Sequence, residues 1–139
     1  IIGQSAAIHI GPSFEHKERL EQLIDDKLPL VERVPSLIGL FSRYDLAVTG
    51  GGITPFEANA SGLPCIVIAN EPFEIPNGRF LDMKGSSLFA CYHRYLNISI
   101  FAGILKSKRI DVESMSRQGL MSIPTNGVER VYRQIKYDF

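Results

Sequence analysis

The chain has 139 residues, 45% hydrophobic and 22% charged, with a mean hydropathy of +0.04; this is enough to bury one ordinary core and reads as a single domain, residues 1–139. Lys+Arg 15 balance Asp+Glu 15, so no general field favours nucleic acid or an anionic membrane as the main partner. The longest nearly apolar stretch, Leu63 to Ala69, is far short of the ~20 residues that span a bilayer, and with no charged-then-apolar leader at its start the chain reads as cytoplasmic.

In chain order, Ala6 to Ile10 reads as a short apolar strand closed by Gly11-Pro12, and Glu15 to Asp26 as a polar-faced helix turning Leu20, Leu23 and Ile24 inward. Leu30 to Val34 is strand-like. Ser36 caps a short helix carrying Leu37, Leu40 and Phe41, and Asp45 to Thr49 follows as a buried strand. After Gly50-Gly51-Gly52 comes a short helix, Pro55 to Ser61, and then the strongest strand, Cys65 to Ala69. The pattern continues with a helix near Pro76 to Lys84, a strand at Ser87 to Cys91, and helices near Asn97 to Lys106, Val112 to Gly119 and Gly127 to Tyr137. Short apolar strands alternating with helices imply βα units, hence an α/β, Rossmann-like three-layer domain on a parallel sheet. The opening Ile1-Ile2-Gly3-Gln4-Ser5 reads as the tail of an earlier element, so a preceding first strand is expected upstream.

The chemistry concentrates between Asp45 and Pro64. Three glycines after a strand permit positive φ and let a ligand touch the main chain. Thr54 suits the N-cap, Pro55 the first helical position, Glu57 the far end of a capping box, and Gly62 a left-handed helix end. A helix start concentrates free N–H donors and partial positive charge, so this turn would receive an anion such as a diphosphate; equally, it is a tight turn with a packing role. The segment has neither the Lys of a G-x-x-x-x-G-K-[ST] loop nor the spacing of G-x-G-x-x-G. Glu57 divides between the capping box and the hydroxyls of a vicinal diol such as a ribose. A valine at Gly51 would stand in the phosphate path.

The run from Asp45 to Ala69, followed by Asn70-Glu71, resembles the C-terminal, nucleotide-binding half of GT-B glycosyltransferase-type proteins. It is most similar to the branch that holds the UDP-sugar hydrolase of pseudaminic acid synthesis, spore-coat polysaccharide proteins and the MurG transferase. The similarity extends more loosely from Ile8 through Gly85, and after about Cys91 no family motif remains. The resemblance implies a domain binding a nucleotide-sugar, commonly a UDP-sugar, in an enzyme making polysaccharide or cell-surface glycan precursors. Gly51, Gly52, Ile53 and Thr54 would meet the diphosphate, Glu57 the ribose hydroxyls, backbone near Val34 the base edge, and Glu74 the sugar. Where the family usually has a Gln, this chain has Glu71-Pro72-Phe73-Glu74-Ile75-Pro76-Asn77. In the relatives the general base comes from the N-terminal half, so a missing N-terminal domain or partner subunit is expected, and the fragment alone should bind without turnover.

The remaining groups read as structural. Cys65 and Cys91 sit in apolar runs as buried thiols and form no zinc site; no cofactor or metal is called for. His9 lies on one face of a strand, His16 in a solvated first helical turn, and Asp25-Asp26 on a polar helix surface. Lys106, Lys108 and Arg109 read as a helix end, with a membrane-facing patch as the other reading. Beside the transferase stand a UDP-sugar hydrolase, a nucleotide-sugar 2-epimerase, a non-enzymatic nucleotide-binding module, and a domain whose glycine turn only packs.

Overall fold

The computed structural model describes residues 6–24, 28–32 and 34–138. Its contacts divide the chain into two units, residues 1–37 and 38–139.

In the first unit, β1 (Ile8–His9) pairs in parallel with β2 (Leu30–Val31), with Ile8 opposite Leu30, and α1 (Lys17–Glu21) lies between them in sequence. The helix is shorter than the sequence pattern suggests. It ends before Leu23, which is 75% exposed rather than turned inward. Asp25 and Asp26 lie outside the described residues. Lys17 bridges Glu32 at 2.6 Å and Glu21 at 3.6 Å, and hydrogen bonding to Glu32 holds its ammonium above the ordinary range. On an exposed side chain this stabilises little.

The second unit is built on a parallel sheet ordered β3-β4-β5: β3 (Ala47–Thr49), β4 (Cys65–Ala69) and β5 (Ser87–Tyr92). Ala47 lies opposite Cys65, and Cys65 opposite Ser87, with a bulge between Val67 and Ile68. The central strand is an unbroken apolar run because it is covered on both faces, and Cys65, Ile66, Val67 and Ala69 are fully buried. Burial of each Val or Ile there contributes roughly 1.5–3 kcal/mol. By contrast, β3 lies at the edge of this sheet, and Val48 is 53% exposed, so the strand expected to be buried is only half covered.

The helices of this unit are α2 (Ile38–Phe41), α3 (Thr54–Ala60), α4 (Ile75–Met83), α5 (Ile98–Leu105), α6 (Val112–Ser122) and α7 (Gly127–Asp138). Phe41, Ala58, Leu81 and Met115 bring α2, α3, α4 and α6 into the core. Asn97 and Asp111 cap α5 and α6 by accepting from the amides of Ile100 and Ser114.

Two helix-to-strand joints share one design. At the end of α3, Gly62 has φ +82°, with Leu63 N–H donating to Ala58 O and Gly62 N–H to Asn59 O; at the end of α4, Gly85 has φ +72°, with Ser86 N–H donating to Leu81 O and Gly85 N–H to Asp82 O. This double bond pattern around a left-handed residue satisfies the last helical carbonyls and turns the chain back into the sheet. Gly62 behaves as its sequence position suggests, and Gly85 is its counterpart one βα unit later.

Burial pushes the Cys65 thiol up from 9.0 to about 12, and both cysteines are free. A thiol raised this way contributes stability that is complete below about pH 9 and lost as pH rises toward 12. A thiol-specific disulfide reagent at pH 8 should therefore label half-exposed Cys91 in the folded protein and reach Cys65 only after denaturant is added; equal labelling of both without denaturant would contradict the burial.

Candidate functional site

The glycine turn stands at the carboxyl end of β3, beside the carboxyl end of β4, the end of an open parallel sheet where ligands ordinarily bind. Its glycines are present for close approach, not for positive φ: among the described glycines only Gly62 and Gly85 have φ above zero. A Cβ on Gly50 would fall 2.5 Å from Asn70 Nδ2, and one on Gly51 would fall 2.9 Å from the Glu74 carbonyl oxygen and 2.8 Å from its Cβ. Gly52 is looser, its nearest neighbour being Glu74 Oε1 at 3.6 Å.

The partner of the turn is the segment after β4. Following Asn70, a 3-10 turn (Pro72–Glu74) runs directly into α4. Glu74 Oε2 accepts from the amide of Gly51 at 3.1 Å and from that of Asn70 at 2.7 Å, while Asn77 Nδ2 donates to Gly51 O at 2.8 Å. Both polar groups of Gly51 are thus held by α4 and the residue before it. Asn70 closes the run that carries the family resemblance and Asn77 ends the segment that departs from it, but the sequence assigns neither a role at the site.

The start of α3 departs from expectation. Its N-cap is Ile53, in helical conformation and without a side-chain cap, so Thr54 is the first helical residue and Pro55 the second. The Thr54–Glu57 capping box is not made. Glu57 is exposed; its amide donates to Ile53 O, and its carboxylate has no partner among the described residues. The amides of Gly52, Ile53 and Thr54 likewise have no acceptor among the described residues, as the first donors of a helix do. Ile53 is 74% exposed. The turn therefore brings together Gly51, Gly52, Ile53, Thr54 and Glu74, with Glu57 one helical turn on. Val34 belongs to the first unit, half-buried, three residues after β2.

A concavity of about 520 Å³ lies among Tyr44, Asp45, Gly62, Val112, Glu113 and Ser116. Asp45 precedes β3 and Gly62 precedes β4, so it sits at the amino ends of the strands, opposite the glycine turn. Its two carboxylates suit it poorly to a phosphate. His16 is exposed before α1, His9 is half-buried on β1, and Arg109 reaches Asp82 at 3.9 Å. Among the described residues no cluster of three or more metal-ligating side chains occurs, and no helix is long and apolar enough to cross a membrane.

No family model matches the chain. Over 81 residues it is 26% identical to the spore coat polysaccharide biosynthesis protein SpsG of Bacillus subtilis, covering 57% of this chain and 24% of that protein. An uncharacterized protein of Methanocaldococcus jannaschii is 22% identical over 128 residues, covering 76% of this chain and 26% of that protein. Among solved structures, Acinetobacter baumannii MurG superposes with a TM-score of 0.72 at 16% identity, over 94% of this chain and 41% of that one. The spinosyn rhamnosyltransferase SpnG superposes with a TM-score of 0.62 at 21% identity, over 98% and 37%. The chain thus spans about a quarter of the length of these curated relatives.

Proposed function

We propose, from the Rossmann-like GT-B glycosyltransferase fold that this chain shares with MurG and SpnG, that it is the nucleotide-sugar-binding part of a glycosyltransferase acting on polysaccharide or glycan precursors. The observation that carries this reading is the row of amides at Gly52, Ile53 and Thr54, without acceptors among the described residues, at the carboxyl end of the sheet. Donors fixed there stabilise the charge that develops on a nucleoside diphosphate as its bond to the sugar breaks. The same electrostatic role serves transfer to an acceptor or to water. Glu57, exposed one turn into α3, accepts from the ribose hydroxyls. The general base comes from outside these 139 residues, so this chain binds without turnover. UDP is the proposed nucleotide.

Calorimetric titration of the chain with UDP, GDP, CMP and ADP tests this. Gly51 is the wrong place for a blocking side chain, because a Cβ there meets the Glu74 main chain and the variant would report on folding. Gly52→Val places its methyls in the open side of the turn, and should weaken UDP binding at least tenfold while the melting temperature holds. Glu57→Ala should weaken it by ~1–3 kcal/mol, through ribose hydroxyls left without an acceptor. Equal affinity in all three proteins would remove the site.

A further inference from the structure

The proposed phosphate site already contains an anion, and it belongs to the protein. The amides of Gly51 and Asn70 leave the carboxyl ends of two adjacent parallel strands and converge on one oxygen, Glu74 Oε2, at 3.1 and 2.7 Å. Two main-chain donors from separate strands aimed at one oxygen form a receptor for a phosphate or carboxylate oxygen. The other oxygen, Oε1, lies 3.6 Å from where a Cβ of Gly52 would stand, beside the amides that have no acceptor. A diphosphate arriving at Gly52–Thr54 therefore comes close to the Glu74 carboxylate, and like charges repel where water is partly excluded.

We infer that Glu74 is a built-in competitor of the ligand's phosphate: its carboxylate holds the Gly51 and Asn70 amides in the empty site, and the phosphate takes them as Glu74 swings out. The inference rests on the nucleotide reading of the turn. The swing is confined to the side chain, since the main chain of Glu74 stays pinned by the hydrogen bond its N–H donates to Glu71 O and by its close packing against Gly51. Competition of this kind lowers the affinity of the turn for a diphosphate, free or sugar-linked.

Titrations of wild type, Glu74→Gln and Glu74→Ala with UDP, and with uridine as the phosphate-free probe, decide it. Glutamine keeps an acceptor for both amides but removes the charge. It should bind UDP at least threefold tighter than wild type, with uridine unchanged. If wild type binds UDP and Glu74→Gln binds it no better, Glu74 is a staple of the turn and not a competitor. If neither protein binds UDP at millimolar concentration, the nucleotide reading fails, and the inference with it. A measurement on wild type guards against variants that fail to fold: the amide NMR resonances of Gly51 and Asn70 should both shift on saturation with UDP. Binding that leaves both unmoved overturns the exchange; Glu74→Ala, which lacks staple and charge alike, should move those resonances without ligand.

Discussion

Asn59→Ala should lower unfolding stability by about 2–4 kcal/mol, the largest loss expected from any polar side chain in the second unit. Asn59 is 1% exposed near the end of α3, where its Nδ2 donates to Leu63 O at 3.0 Å and its Oδ1 accepts from Ser87 Oγ at 3.0 Å. One amide group therefore joins the helix end, the turn into β4 and the first residue of β5. Alanine leaves a carbonyl and a hydroxyl buried without that partner, each at a cost of roughly 1–3 kcal/mol. The Cys65 thiol, 3.8 Å from the same carbonyl, is too weak a donor to replace the amide. Urea unfolding of Asn59→Ala, Ser87→Ala and the double variant measures this. The double variant should lose less than the sum of the single ones, since removing both partners of one bond leaves fewer orphaned groups. A loss below 1 kcal/mol for Asn59→Ala would mean that water reaches the site.

Gly119→Val should be comparably severe, costing about 3 kcal/mol. Gly119 lies in α6 where that helix crosses α3, and a Cβ there would fall 2.6 Å from Asn59 O and 3.2 Å from Asn59 Cα. Those are main-chain atoms, which cannot rotate away, so the helices must separate and uncover Ala58 and Met115, now 0% and 5% exposed. Gly103→Ala in α5 is the control. Nothing lies within 4 Å of a Cβ there, so alanine's better helix propensity should raise stability by about 0.5–1 kcal/mol. Denaturation midpoints moving in opposite directions would support the packing argument; equal behaviour at the two sites would sink it. Since Gly119 presses on the main chain of Asn59 itself, the two core substitutions should not be additive.

The order of elements was legible because it follows from local period and chain-breaking residues. β4 occupies Cys65–Ala69 as its apolar run indicates, α4 shifts by one residue at each end, β5 runs one residue further, and Gly62 closes α3 in the left-handed conformation its position suggests. The glycine turn also stands at the carboxyl end of its strand, since alternating strands and helices permit no other place for it. Local chemistry misled at the start of α3. Thr54, Pro55 and Glu57 spell a capped helix, yet the helix begins at Thr54 itself, with Ile53 at the cap.

What the one-dimensional pattern could not contain is which distant group closes on the turn. Glu74 and Asn77 stand 23 and 26 residues from Gly51, on the far side of a strand, and they meet it only because β4 pairs in parallel with β3 and delivers the next segment to the same end of the sheet. That pairing turns the glycines from sources of positive φ into sites of close approach, and makes Glu74 the occupant of the Gly51 amide. Sequence period decides which residues form strands and helices, because it depends on neighbours a few positions apart. The contents of the site depend on register between strands, which exists only once the sheet is assembled.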